Sequence, residues 1–478
     1  MSRDKLLVIG AGPVGLAMAD ALKQNSIAYD HVDANAGIGG NWHHGVFEST
    51  HIVSSKGTTA YSDYPMPADY PDFPSAKQML AYLKRYALDR GLTGNIELEK
   101  PVGKVTPNPD DSWHVAFSDG EARTYKGVIV CNGHHWAKRY PNIPGRFAGE
   151  FFHSKDYHRA EQISGKRVLV IGAGNSAHDI ACDAARVGTS CDMSMRSGYW
   201  FMPKTAFGRP LTDLPIWWMP MALQRLALRG IIKVMIGDYR RYGLKWPNHK
   251  IFERHPTYGT DLLNYLRLGL VRPREEVARF DGKSVHFKDG SVADYDVVVA
   301  ATGFDYSFPF LPEGLIEVKN DVVQIYGGAF PDKVKNLYIV GASQARGGFG
   351  RLVTPAVQLY AKMIRLQDEM EFPIGAVLKW RNNPIPETHL LDTESTRRRI
   401  AISHYLLPVL KLQDKRMAKQ VTREIWDPSE HSVPAPGAEA ESPRTGQADV
   451  HELPAHSDRG ESKDSAALRS GKVDTALP

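Results

Sequence analysis

Two short glycine clusters carry the clearest chemistry in this chain. Gly10, Gly12 and Gly15 stand in GAGPVG, directly after the apolar run LLVI at 6–9. Gly172, Gly174 and Ala177 stand in GAGNSA, directly after RVLVI at 167–171. In such a cluster the first glycine permits a tight turn and the second lets the backbone approach a pyrophosphate. The third lets the following helix pack closely on the sheet, and alanine remains compatible there. The start of that helix offers N–H groups to phosphate charge. Asp33 ends the next strand-like segment, IAYDHVD at 27–33, where a carboxylate reaches a ribose hydroxyl. After the second cluster no acidic residue occupies the matching place. Arg196 follows instead, flanked by Ser194 and Ser197. Its guanidinium suits a 2′-phosphate, the alternative being an ordinary surface arginine. Asn175 and Ser176 open the second helix beside the same phosphate site. The expected ligands are FAD at the first cluster and NADPH, in preference to NADH, at the second. Two such sites in one chain imply a relay in which a nicotinamide supplies hydride to a tightly held flavin.

Other reactive residue types do not assemble into a competing site. The pairs His43-His44 and His134-His135 belong to no HExxH motif or His/Cys ligand set, so no metal is expected. His43 and His44 adjoin Gly39-Gly40-Asn41-Trp42, which suits a loop at a flavin edge better. The three cysteines, Cys131, Cys182 and Cys191, form no CxxC pair. They read as small buried hydrophobes in a reducing compartment. The missing cysteine pair argues against a disulfide reductase. No nucleophile elbow or P-loop is present, which argues against hydrolases and kinases.

The elements that must position these residues are legible as alternating strands and helices. Each glycine cluster sits in a β-α-β unit, and the two units lie about 160 residues apart. An amphipathic helix is predicted at 76–90, with Gly91 as its cap. WHVAF at 113–117 and TYKGVIVC at 124–131 suggest a hairpin feeding a buried strand. VHFKDG near 285, DYDVVVAATG at 294–303 and LYIVG at 337–341 supply further strands, followed by a helix near 354–370. The expected fold is α/β, with two Rossmann-like dinucleotide-binding domains. The NADP domain (160–290, with a helical substrate-side insertion) interrupts an FAD domain made of 1–155 and 291–425. Residues 427–478 are rich in Pro, Ser, Ala, Gly and charge and hold no Phe, Tyr or Trp. They are expected to form a disordered tail, or a flexible partner-binding one.

Composition excludes several classes. The chain has 478 residues, with 59 Lys+Arg against 54 Asp+Glu and a formal charge of +5. Basic residues do not cluster with stacking aromatics, so no nucleic acid partner is expected. The first apolar run is already a strand, so no secretory signal is read and a cytoplasmic location is expected. Residues 214–237 (LPIWWMPMALQRLALRGIIKVMIG) are strongly apolar but carry Arg225, Arg229 and Lys233 four apart, along one helix face. They read either as a helix over the substrate side or as an interfacial helix in peripheral membrane contact. The aromatic residues of 199–265 are expected to wall a mostly apolar substrate site.

FAGEFFHSKDYH at 147–158 places Phe147, Gly149, His153 and Tyr157 in the pattern FxGxxxHxxx(Y/F), just before the second glycine cluster. With GGNW at 39–42, YSDYPMPADYPDFP at 61–74 and ATGFDYSFPFL at 301–311, this resembles the flavin-containing monooxygenases and the related Baeyer–Villiger enzymes over residues 5–370. The resemblance implies FAD, NADPH and O₂, acting through a C4a-(hydro)peroxyflavin on a nitrogen or sulfur atom of a small organic substrate, or on a ketone. It implies His153 as a catalytic residue, and Gly40, Trp42, Thr302 and Gly303 as cofactor-binding residues. Two positions depart from the pattern. His158 stands where the family often has Lys or Arg. In HIVSSK at 51–56, Val53 stands where better-known members carry Asn, and valine cannot donate a hydrogen bond. His51 then fills that role, as in a subgroup that includes ketone-oxidising members, or is a packing histidine. A dehydrogenase that passes electrons without inserting oxygen, and a non-catalytic nucleotide-binding module, are the remaining alternatives.

Overall fold

The computed structural model describes residues 2–426; the tail expected at 427–478 lies outside the described residues. In chain order the elements that build the site begin with β1 (Leu6–Ile9), α1 (Pro13–Gln24), β2 (Tyr29–Val32), α2 (Ala76–Asp89), β3 (Ile96–Glu97) and β4 (Gly127–Val130). There follow β5 (Glu150–His153), β6 (Arg167–Ile171), α3 (Asn175–Val187), β7 (Ser190–Ser194), α4 (Met221–Met235), β8 (Val271–Arg274) and β9 (Val297–Ala300). The chain closes with β10 (Leu337–Ile339) and α5 (Gly350–Gln367).

These strands form two five-stranded sheets, ordered β10-β4-β1-β2-β3 and β8-β7-β6-β9-β5. Every pairing within them is parallel. A parallel sheet is covered on both faces, which explains why its strands read as continuous apolar runs. In β1, Leu6 and Val8 face a core built with α1, α2 and α5. Leu7 and Ile9 face the other way, onto Val105, Trp113, Val115 and Tyr125. Those residues belong to a three-stranded antiparallel sheet of Val102–Pro107, Trp113–Phe117 and Ala122–Tyr125. The second half repeats this plan. Val168 and Val170 pack with α3, while Leu169 and Ile171 meet Phe280, Val285 and Phe287 of a second antiparallel sheet.

The α/β class and the return of the chain to its first sheet match the expectation: β10 pairs with β4 after the whole second sheet has been completed. The expected boundaries do not coincide with the sheets. Glu150–His153 was assigned to the first part and Val297–Ala300 to the last, yet both are strands of the second sheet and pair with each other. The chain passes between sheets through two short strands, Ala137–Lys138 and Phe304–Asp305, which pair antiparallel. The 113–131 segment also differs from the expected hairpin. Ala122–Tyr125 completes the antiparallel sheet, and after one residue Gly127–Val130 enters the parallel one.

In the helix α2, Ser75 and Gln78 form a reciprocal capping box, which satisfies end N–H groups that would otherwise lack partners. The helix α4 does not place its three cations alike. Arg225 turns back and donates to the Ile251 carbonyl at 3.0 Å, while Arg229 and Lys233 are exposed. Leu223, Leu226 and Val234 are outward beside them, and Leu228 and Ile232 face the core. Among the described residues no helix is long and apolar enough to cross a membrane.

Candidate active site

The C-terminal ends of both parallel sheets open onto one cleft of about 1820 Å³. That is well above the ~300–1,000 Å³ common for a single small ligand. Gly10, Gly12, Asp33, Gly40, Trp42, His51, Gly172, Gly174, Asn175, Ser176, Arg196, Thr302 and Gly303 all line it. Of the expected site residues, Gly15 and His153 do not.

At the first glycine cluster, β2 supplies two groups that pin the turn. His31 Nε2–H donates to the Gly10 carbonyl at 2.9 Å, and Asp33 Oδ2 accepts the Ala11 N–H at 2.6 Å. Asp33 Oδ1 accepts from the backbone and side chain of Asn35 at 2.8 and 2.9 Å. Asp33 thus has a turn-holding task besides lining the cleft, and each carboxylate oxygen keeps further acceptor capacity for a ribose. Burial pulls the His31 pKa down, which keeps the ring neutral. His31 escaped sequence reading, although it stands two residues before Asp33, on the same face of an extended chain. The loop after β2 closes over the turn, with the Gly39 N–H donating to the Ala11 carbonyl at 3.0 Å. Tyr61, from the aromatic segment at 61–74, donates to the Pro13 carbonyl at 2.6 Å and packs on Tyr86.

The roles of the glycines separate cleanly. A Cβ on Gly15 would overlap the Gly10 carbonyl, so this glycine serves helix-to-strand packing. A Cβ on Gly12 would meet only the Gly40 Cα, at 3.6 Å, and one on Gly174 would meet nothing within 4 Å. Neither α1 nor α3 has a side-chain N-cap. Both helices therefore present uncapped N–H groups and open glycines to the cleft, as an anionic dinucleotide requires. The second cluster is braced by the 199–265 segment: Thr257 Oγ1 donates to the Ala173 carbonyl at 2.6 Å, and Asn175 Oδ1 accepts the Tyr258 N–H at 2.9 Å. From that segment Tyr199, Thr212, Glu253, Arg254, His255 and Tyr258 reach the cleft. Trp200, Phe201, Tyr239 and Phe252, expected as wall, are core instead. Arg196 is exposed at the cleft and makes no hydrogen bond or ion pair with any described residue. Thr302 donates to the Arg139 carbonyl, which anchors the crossing between the sheets.

The 147–158 pattern proves to be a junction. Phe147 packs on Phe280, and a Cβ on Gly149 would strike the Asp296 carbonyl at 2.5 Å. His153, expected to be catalytic, is fully buried at the end of β5. Its Nδ1 accepts the Lys155 N–H and its Nε2–H donates to the Gly303 carbonyl, both at 3.0 Å. Both ring nitrogens are thus engaged by backbone at the crossing, and His153 is not among the residues that line the cleft. Tyr157 donates to Asp183 Oδ2 at 3.0 Å and packs on Phe47. Burial lowers the His153 pKa. A histidine depressed in the fold contributes stability that is present above its unfolded value of ~6.5 and lost as pH falls toward the folded one. His153→Gln is therefore expected to lower stability by ~1–3 kcal/mol at pH 7 through broken buried hydrogen bonds, and by less at pH 5. Chemical denaturation at both pH values checks this; an equal loss at both would count against it.

His51 does reach the cleft. Its Nδ1 meets the Ser49 carbonyl at 3.2 Å, and its Nε2 contacts Lys204 Nζ. Val53 lines the same wall. Residues not foreseen include Gln344, whose Nε2 lies 2.7 Å from His134 Nε2 and 3.0 Å from His135 Nε2, and Lys155. Cys131, Cys182 and Cys191 are buried and unpaired.

The Flavin-binding monooxygenase-like family model matches residues 3–365. Flavin-containing monooxygenase 5 of Oryctolagus cuniculus is 32% identical over 77% of this chain and 73% of its own length. Dimethylaniline monooxygenase [N-oxide-forming] 2 of Cavia porcellus is 31% identical over 75% of this chain and 72% of its own. Cyclohexanone monooxygenase from Rhodococcus sp. Phi1, solved bound to NADP+, shares the fold with a TM-score of 0.60 at 18% identity, covering 77% of this chain and 85% of that one. With two parallel sheets opening their glycine turns onto one cleft, and with matches of this extent, the chain belongs to the flavin-binding monooxygenase-like family.

Proposed function

We propose that this chain uses FAD, NADPH and O₂ to place one oxygen atom on a nitrogen or sulfur centre of a small organic substrate, with the second oxygen leaving as water. The observation that carries this reading is the pair of uncapped helix starts, each with an open glycine, facing one cleft. The N-oxide-forming activity in a relative's name agrees with it. FAD supplies the oxygen-activating chemistry when bound at Gly10–Gly15. The protein's own residues hold and orient the two dinucleotides and exclude water. Arg196 is read as the group that selects NADPH over NADH.

A second reading, oxidation of ketones to esters or lactones, is favoured by Val53. It lines the cleft where better-known members carry an amide donor. In this chain His51, two residues before Val53, lines the same cleft and contacts Lys204, and we assign this pair the donor role, which puts the chain in the subgroup without the usual Asn. Incubation with NADPH and ¹⁸O₂ over a panel of tertiary amines, sulfides and ketones tests both readings. Labelled N-oxide or S-oxide supports the first, and labelled ester or lactone the second. NADPH consumption that yields only water or hydrogen peroxide with every substrate would refute both.

A further inference from the structure

Lys155 is among the cleft-lining cations that the proposed function leaves unused. It follows β5 by two residues, so its backbone belongs to the nicotinamide-side sheet. Its ammonium crosses to the turn that follows Gly40 on the flavin side. There Nζ donates to Asn41 Oδ1 and lies 3.3 Å from the Gly45 carbonyl. Asn41 and Gly45 bracket that turn, one opening it and the other capping it. A Cβ on Gly45 would overlap both the Asn41 amide oxygen and the Lys155 ammonium, so glycine at 45 leaves room for the contact as it stands.

The charge around Lys155 is unusual. The neighbouring carboxylate, Asp156, is taken by Lys138 at 2.5 and 2.8 Å. Among the described residues Lys155 has no carboxylate partner within ion-pair distance, and both of its acceptors are neutral oxygens. His44 on the turn, His135 on the loop after β4, and His153, Asp156 and Lys138 on its own side are the titratable groups that interact with it. Burial draws the amine down to about 8. A surface lysine kept only for solubility would carry neither this burial nor this exclusive attachment to the opposite half.

We propose that Lys155 is a positioning residue, a tether that sets the flavin-side turn against the nicotinamide-side sheet so that the two dinucleotide rings meet in register for hydride transfer. This rests on the proposed use of FAD and NADPH. Hydride transfer is steep in distance and alignment, and an ångström of misplacement costs orders of magnitude. The turn that it holds follows Gly40, whose Cα would lie 3.6 Å from a Cβ on Gly12 in the first glycine cluster. Other links between the halves include Ser49 to Asp183, the Glu48 N–H to the His158 carbonyl, His51 to Lys204 and the Ser55 N–H to Thr212 Oγ1, all farther along the 45–55 segment, and the Tyr258 hydroxyl to the Arg346 carbonyl.

The test uses full-length holoenzyme with Lys155→Met, Asn41→Ala and the double variant. Each single change is expected to slow anaerobic bleaching of the flavin by NADPH ~10-fold. The double variant should be no slower than either single, because both changes break one contact. Bound FAD per chain and the Kd for NADP+ should stay within ~2-fold of wild type, since neither residue forms a phosphate site. Additive effects, or wild-type bleaching rates, would overturn the tether. So would a raised NADP+ Kd in Lys155→Met alone, which would make the ammonium an anion contact instead. A second readout needs no turnover: acylation of Lys155 by an amine-selective reagent, followed by peptide mass spectrometry, should rise in Asn41→Ala. Unchanged acylation overturns the tether even if NADPH fails to bleach the wild-type flavin, a failure that would count against the proposed function itself.

Discussion

Gly12→Ala is expected to give a folded protein that no longer retains FAD. The added methyl would meet only the Gly40 Cα, at ordinary van der Waals distance, so nothing in the protein opposes it. What it would fill is the space through which the backbone of the first turn approaches a pyrophosphate. Loss of that approach forfeits hydrogen bonds to charged oxygens, each worth ~1.5–3 kcal/mol, so affinity should fall by ~10- to 100-fold or more. Gly15→Ala is the control with the opposite signature. Its methyl would overlap the Gly10 carbonyl, so the helix α1 would have to shift from β1 and the fold itself would lose stability, by ~1–3 kcal/mol. Flavin absorbance per chain and the melting temperature of the apoprotein separate the two. A Gly12→Ala protein that keeps stoichiometric FAD would remove the first glycine turn from the cofactor site.

Arg196→Ala is expected to reverse the coenzyme preference. The side chain is exposed at the cleft just beyond β7, where the second ribose lies in a Rossmann unit. No described carboxylate neutralises it. Arg254 also lines the cleft, with Nη1 3.3 Å from Ser197 Oγ, and adds a second positive group beside it. A guanidinium that binds a 2′-phosphate through charge-assisted bonds contributes ~1.5–3 kcal/mol. KM for NADPH should therefore rise ~10- to 100-fold, while KM for NADH changes less than ~2-fold, because NADH lacks that phosphate. The NADPH effect should also shrink as salt is raised, as expected for an exposed charge pair. Equal losses with both coenzymes would show that Arg196 contacts the shared part of the dinucleotide or acts on the fold.

Local sequence was informative wherever one strand or one turn decided the outcome. LLVI, VLVI and VVVA are apolar at every position because both faces of a parallel sheet are covered, and a run of that kind followed by GxGxx(G/A) admits little else. The boundary between the two halves was not legible in the same way. Glu150–His153 lies next to the first unit in sequence, and its place in the second sheet depends on pairing with Val297–Ala300, almost 150 residues away. His153 shows the same limit. Its motif is plain in the sequence, but which way the ring points depends on a carbonyl at Gly303 that only the folded crossing brings near. Helix periodicity put Arg225, Arg229 and Lys233 on one stripe. Tertiary packing separated them, because the Ile251 carbonyl captured the first.

The amino-acid sequence by itself determined the two glycine turns, the acidic and basic residues that follow them, the apolar strands that carry them and the family resemblance. Each is set by steric and hydrophobic rules acting over a few neighbouring residues. Tertiary structure alone decided that both turns open onto one cleft, that the ring of the histidine in the 147–158 pattern is held by backbone away from the cleft lining, and that Lys155 reaches Asn41. Those outcomes depend on contacts between segments far apart in the chain, whose geometry exists only once the sheets have paired and their faces are covered.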